Sequence, residues 1–289
     1  ALVAAALRLE RVPHTPSDFP ESGLEQAALD AVLAQRPPLE AMYPLAPLQY
    51  GLLFESLLRP GLGVNTLQQD IGLNGNLDED ALRDAWREIV RRHPILRTIF
   101  HDLQGEHPLQ LVLRDAAVDW RTIDWSDLDE KTQTERLLEY VEEDRRAPFE
   151  FERDPAMRVH LIRLGPDRRR MLWTRHHALV DGWSSAIVLR ELVETYMHRS
   201  HGGEDALPPA RGYRDYIRWL MERQRHPDAE KWWLSHLDGI QAPTGIGVAR
   251  DWHRRMSDAK AQEHLHAFPA QLGAELRSYA QRRNLTVGG

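Results

Sequence analysis

Apolar residues recur at helical spacing over several stretches of the chain, and short β-rich runs lie between them. Leu48, Leu52, Leu53, Leu57 and Leu58 form one stripe that Pro60 and Gly61 end, which predicts an amphipathic helix. Leu82, Ala85, Trp86, Ile89 and Val90 share the face of a second helix; Asp78 is placed to cap it and His93-Pro94 to stop it. A third helix is predicted over 135–146. The strongest signal is Val188, Leu189, Leu192, Val193 and Tyr196, with Ser184 or Ser185 as the expected cap and His198 and Arg199 supplying positive charge at the far end. Strands are predicted at 66–73, 95–100, 109–113, 158–164 and 170–177, the last two joined by the turn Gly165-Pro166-Asp167. Strands that alternate with helices predict an α/β fold, an α+β two-layer sandwich with a mixed sheet flanked by helices.

The ends of the chain follow a different pattern. Pro13, Pro16, Pro20, Pro37 and Pro38 bracket one short helix at 24–33, so residues 1–40 read as an inter-domain connector. Beyond the strong helix, 201–210 reads as loop, 213–224 and 229–237 as helices, and 241–248 as a Gly/Pro linker. A strand at 263–268 and a helix at 269–283 complete the prediction. The expected organisation is a connector at 1–40, a body at 41–240, and a further segment at 241–289.

Charge and composition narrow the function classes. Lys and Arg total 37 against 44 Asp and Glu, a formal net charge of −7, so no global positive field is available to hold nucleic acid or an anionic membrane. With no cysteine, disulfides, thiolate metal sites and a cysteine nucleophile are excluded, as fits a reducing compartment; the cytoplasm is the expectation. The opening Ala-Leu-Val-Ala-Ala-Ala-Leu has no basic lead-in and runs at once into Arg8, Glu10 and Arg11, unlike a secretory signal.

Reactive residue types concentrate in His176-His177-Ala178-Leu179-Val180-Asp181-Gly182-Trp183, between a predicted strand and the strongest helix, where sites are commonly built. Neighbouring strand residues point to opposite faces, so His176 and His177 should divide into one structural and one free histidine. The same geometry argues against a metal held by the pair, and no third ligand stands at a recognisable spacing. A hydrolase triad is disfavoured because no Gly-x-Ser-x-Gly elbow occurs and helix capping accounts for Ser184 and Ser185. His93, His101, His160 and His264 read as packing residues, as do Trp183, Trp219, Trp232 and Trp233. Gly182 reads as a turn glycine with positive φ, or as a position where a backbone N–H can approach substrate.

His176-His177-x-x-x-Asp181-Gly182 resembles the HHxxxDG signature of the condensation domains of nonribosomal peptide synthetases. Three further blocks stand in the family's order: Pro44-Leu45-Ala46-Pro47-Leu48-Gln49-Tyr50-Gly51-Leu52-Leu53-Phe54, Arg92-His93-Pro94-Ile95-Leu96-Arg97-Thr98-Ile99-Phe100, and Tyr213-Arg214-Asp215-Tyr216-Ile217-Arg218-Trp219. Pro148-Phe149, Asp154-Pro155 and Arg158 also fall as in that family. The resemblance implies a chloramphenicol acetyltransferase-like lobe at 41–240 and the start of a second lobe at 241–289, with the rest of that lobe missing from the sequence.

The reaction this resemblance implies is attack by a carrier-bound amine on a carrier-bound thioester. Phosphopantetheine is then supplied by donor and acceptor carrier domains, and the domain binds no cofactor of its own. Neighbouring adenylation and upstream epimerisation domains are the implied partners. His177 is expected to act on the amine or the tetrahedral intermediate, and Asp181 to form a structural ion pair with Arg92, Arg97 or Arg158. An epimerisation domain of the same fold is one alternative, though Asp181-Gly182-Trp183-Ser184 looks more like condensation; a catalytically silent docking domain is the other. Thr15-Pro16-Ser17-Asp18-Phe19-Pro20 resembles the tail after a preceding epimerisation or condensation domain, and the block at 44–54 resembles domains that take a D-configured donor. Lacking the second lobe, the isolated chain is expected to be inactive and to expose an apolar face.

Overall fold

The computed structural model describes residues 14–201, 207–223, 228–240 and 266–287. The chain divides into two compact units, Ala1–His236 and Leu237–Gly289. In the first, the described elements run α1 (Gln26–Ala34), β1 (Leu39–Pro44), α2 (Pro47–Leu58), β2 (Thr66–Asn74), α3 (Glu79–Arg92), β3 (Thr98–His101), β4 (Leu109–Leu113), β5 (Trp120–Asp124), α4 (Glu130–Arg146), β6 (Met157–Gly165), β7 (Arg168–His176), α5 (Gly182–Ser200), α6 (Tyr213–Arg223) and α7 (Asp228–His236). In the second unit the described helix is α8 (Ala270–Arg282), closed by the Leu285 N–H donating to the Ala280 carbonyl.

Two sheets form. One is three-stranded in the order β1-β4-β3, the other four-stranded in the order β2-β7-β6-β5. In the larger sheet β2, β7 and β6 are antiparallel, while β5 joins β6 in parallel. Alternation along β7 sorts the helices onto its two faces. Trp173 packs on Trp86 of α3 with ring centroids 5.2 Å apart, and Arg175 donates to Ser185 of α5. The intervening Thr174 donates to Asp144 of α4. The main core lies on the α3/α5 side, where Trp86, Ile89 and Trp173 are completely buried.

The Asp78 carboxylate caps α3 by accepting the Ala81 N–H at 2.9 Å. α4 begins earlier than the apolar spacing predicts, at Glu130, because Asp129 accepts the N–H groups of Lys131 and Thr132. The strand expected at 95–100 is a 3₁₀ turn, Pro94–Arg97, followed by β3; proline at its first position and the Leu96 N–H donating to the His93 carbonyl bend the chain there. β1 and β5 have no counterpart among the expected strands: prolines flank β1, and β5 is mostly exposed, so neither shows clean alternation. Of the strand expected at 263–268, residues 263–265 lie outside the described residues, and 266–268 form no strand.

Phe19, Leu29 and Val32, from the segment read as a connector, pack with Ile99 and Leu111 in a second core cluster on the smaller sheet. The four tryptophans assigned to packing are a correction. Trp183 is 85% exposed, and Trp219, Trp232 and Trp233 are each about half exposed. Their helices turn them outward, and the core is filled by Trp86 and Trp173 instead.

Candidate active site

β7 ends at His176, and α5 begins six residues later at Gly182. The turn between them carries the motif, and Gln49 of α2 ties its backbone to the lobe. Gln49 of α2, buried to 4% exposure, accepts the Ala46 N–H through Oε1 and donates through Nε2 to the Ala178 carbonyl at 2.9 Å and to Gln110 Oε1 of β4 at 3.0 Å. The Leu179 N–H donates to the His176 carbonyl at 3.1 Å. Ala178, Leu179 and Val180 are buried in the core, which leaves the turn little freedom.

His176 is engaged at both ring nitrogens. Its Nδ1 accepts the Ala178 N–H at 3.1 Å, so the ring proton lies on Nε2 and is donated to Ser56 Oγ at 2.8 Å. The Ser56 hydroxyl then donates onward to a carbonyl of Leu52 or Val64. Phe151 meets the ring edge-on at 4.9 Å. Burial, with a smaller contribution from the neighbouring His177, holds the imidazole down at about 4, so His176 is neutral.

His177 is half-buried. Its N–H donates to the Asn65 carbonyl at 2.8 Å, while its Nδ1 is buried and makes no hydrogen bond among the described residues. The two rings thus have different surroundings: His176, the last residue of β7, is held at both ring nitrogens, and His177 lies one residue past the end of the strand.

Asp181 corrects the expected ion pair. Its carboxylate caps α5, accepting the Ser184 N–H at 2.7 Å, and that bond, more than any other cause, holds its pKa below the usual range. The cap is therefore neither Ser184 nor Ser185: Ser184 is the donor, and Ser185 Oγ donates to the Asp181 carbonyl one turn back. Each of the three arginines is paired elsewhere. Arg92 meets Glu191 at 2.7 Å, Arg97 meets Glu40 at 2.7 Å and the Leu113 carbonyl, and Arg158 meets Asp144 at 2.6 Å. The reason is positional: α5 starts where Asp181 can reach its own helix N-terminus, and a short side chain does that most directly. Among the described residues no hydrogen bond or ion pair joins Asp181 to His177.

Gly182 is the first residue of α5 and does not have positive φ, which removes the turn-glycine reading. A Cβ there would meet nothing within 4 Å, so the space over its backbone is open. Among the described residues no group of three or more His, Asp or Glu side chains is arranged to hold a metal ion. No helix among them is long and apolar enough to cross a membrane.

Sequence reasoning missed Ser56, Asn65 and Asp144. Gln49 stood inside a quoted block with no role assigned. The available signal was spacing: Asn65 precedes the strand that pairs with the motif strand, so it lies opposite His177.

The fold is that of solved condensation domains. The first condensation domain of the calcium-dependent antibiotic synthetase superposes with a TM-score of 0.69 at 18% identity, over 86% of this chain and 59% of that one. The starter condensation domain of rhizomide synthetase gives 0.63 at 17% identity, over 70% and 49%. A mixed sheet of this order, with helices on both faces, defines a chloramphenicol acetyltransferase-like domain.

The condensation domain family model matches residues 39–288, and the chain belongs to that family, the condensation domains of nonribosomal peptide synthetases. One polypeptide of the linear gramicidin synthase of Brevibacillus parabrevis is 33% identical over 287 residues, which is 99% of this chain and 6% of that protein. One polypeptide of the mycosubtilin synthase of Bacillus subtilis is 31% identical over 284 residues, 96% of this chain and 11% of that protein. The chain thus spans a small part of these synthases and about half the length of the solved domains.

Proposed function

We propose that the domain carrying this turn forms a peptide bond between two carrier-bound substrates, with His177 at the reacting atoms. The observation that supports this most is the contrast within the histidine pair: His176 has both ring nitrogens occupied, while the His177 ring has no hydrogen-bonded partner at its buried nitrogen. The amine of the acceptor attacks the thioester carbon of the donor, the new C–N bond forms, and the C–S bond breaks. The proton lost from nitrogen goes to the departing pantetheine sulfur. An α-amine with a pKa of about 8 needs only modest help near neutrality, which an imidazole can give as a base. A hydrogen bond from the same ring to the tetrahedral intermediate calls on the same residue. Holding both arms in one tunnel supplies up to about 7–11 kcal/mol of the barrier reduction.

In this reading Gly182 presents its N–H across the open space above it. Asp181, His176, Arg92, Arg97 and Arg158 keep the lobe and the turn in shape. Phosphopantetheine arrives on the donor and acceptor carrier domains, and the domain binds no cofactor itself. It works in the cytoplasm beside adenylation domains, with an upstream epimerisation domain delivering a D-configured donor, and with a second lobe completing the tunnel. Replacing His177 with Ala in the synthetase and following amide formation from loaded carriers tests the role. The expected loss is about a hundredfold or more, with carrier binding unchanged. An unchanged rate would overturn the assignment.

A further inference from the structure

No hydrogen bond of its buried nitrogen orients the His177 ring, so its placement is inherited from the backbone that carries it. Among the described residues that backbone has one lateral anchor, the His177 N–H donating to the Asn65 carbonyl at 2.8 Å. The β2–β7 ladder ends at the pair Thr66 and His176, which puts Asn65 and His177 at the next position, just past the last regular pair. There Asn65 leaves the extended conformation with φ of 58°, a left-handed backbone that costs most L-residues about 1 kcal/mol or more and that asparagine tolerates best after glycine.

The side chain of Asn65 ties this kink to α2. Its Nδ2 donates to the Leu52 carbonyl at 3.0 Å, with Glu55 Oε2 at 3.3 Å and Ser56 Oγ at 3.4 Å. Ser56 is the residue that accepts from His176 Nε2 at 2.8 Å. Both histidines are therefore referenced to one turn of α2, His176 through its ring and His177 through its main chain.

We propose that Asn65 is a positioning residue for His177: its left-handed backbone aims a carbonyl at the His177 N–H, and its carboxamide locks that carbonyl to α2. The proposal rests on the reading of His177 as the residue at the reacting atoms. The kink and the anchor make different demands. Alanine at 65 loses the carboxamide and strains the backbone, whereas glycine loses the carboxamide but keeps the left-handed conformation without strain.

Two measurements on Asn65→Ala and Asn65→Gly separate this role from general stability. The first is amide hydrogen exchange of His177 in the labelled chain, compared with Leu172 in the middle of β7. The second is kcat and KM for amide formation in the synthetase, taken well below the melting temperature of each variant. In Asn65→Ala the His177 amide should exchange about tenfold faster or more while Leu172 is unchanged, and kcat should fall about ten- to a hundredfold at constant KM, the size expected of a displaced reacting group. Asn65→Gly should lie between Asn65→Ala and the natural protein in both readouts.

Wild-type exchange and kcat in Asn65→Ala would overturn the proposal, as would equal acceleration at His177 and Leu172 or a glycine variant no better than alanine. If the natural protein forms no amide, the reading of His177 fails, while the exchange measurement still decides whether Asn65 holds its backbone.

Discussion

Asp144 and Asp181 occupy opposite kinds of ground. Asp144 lies at the C-terminal end of α4 with 6% exposure and collects donors from three adjacent strands: Gln68 of β2 at 2.8 Å, Thr174 of β7, and Arg158 of β6 at 2.6 Å. These three residues stand side by side in the ladder, Thr174 pairing with Gln68 on one side and Arg158 on the other. Asp181 is exposed and satisfies one helix N-terminus. The charged lock that the resemblance implied for the motif turn thus sits on the α4 face of the sheet. The space beside Gly182 is open.

The contrast is most easily broken at Asp144. Asp144→Ala strands the buried Arg158 and should cost about 3–5 kcal/mol in denaturant unfolding. If the pair is a lock and not a functional charge, Asp144→Leu combined with Arg158→Met should recover much of that loss. A loss below about 1 kcal/mol for Asp144→Ala would mean that Arg158 finds water or another partner.

The next effect is on acid stability. The folded pKa of His176 is about 4, well below the 6.5 of a free histidine, so between those values the unfolded chain binds the proton and the folded chain does not. Stability contributed by the neutral ring is complete above about pH 6.5 and is lost as pH falls towards 4, on the order of 3 kcal/mol in total. His160, also lowered chiefly by burial, acts in the same direction. Unfolding midpoints between pH 7 and 4 should show this slope, and His176→Gln should flatten it.

The smallest effect is expected at Asp181. Asp181→Ala removes a cap and should cost about 1 kcal/mol, against the several that a buried ion pair would give. Its carboxylate, with a lowered pKa, contributes above the ordinary aspartate range and ceases to do so only as pH falls below about 4. A loss at Asp181 as large as that at Asp144 would erase the distinction drawn between them.

Much of the body was legible along the chain. The stripe of α3 and the β6–β7 hairpin follow from periodicity, because side-chain direction in a helix or strand is fixed by the local backbone; in α2 the stripe is only partly realised, with Leu48 and Leu58 exposed and the polar Gln49 buried, and in α5 Val193 is exposed. The four ordered blocks gave the family. Capping was harder to read: Asp181, Ser184 and Ser185 are all competent caps by type, and which one is used depends on where the strand lets the helix begin.

Partner choice was decided only by tertiary structure. Nothing near Arg158 in the sequence distinguishes Asp144 from Asp181 as its counter-ion. The β2-β7-β6 order brings Gln68, Thr174 and Arg158 into one row beneath the end of α4. In the same way, Asn65 and His177 are separated by more than a hundred residues and meet because β2 and β7 share a register. The local backbone fixes which way each side chain points from its own element. What it meets depends on strand order and register, which are set by the packing of the whole lobe.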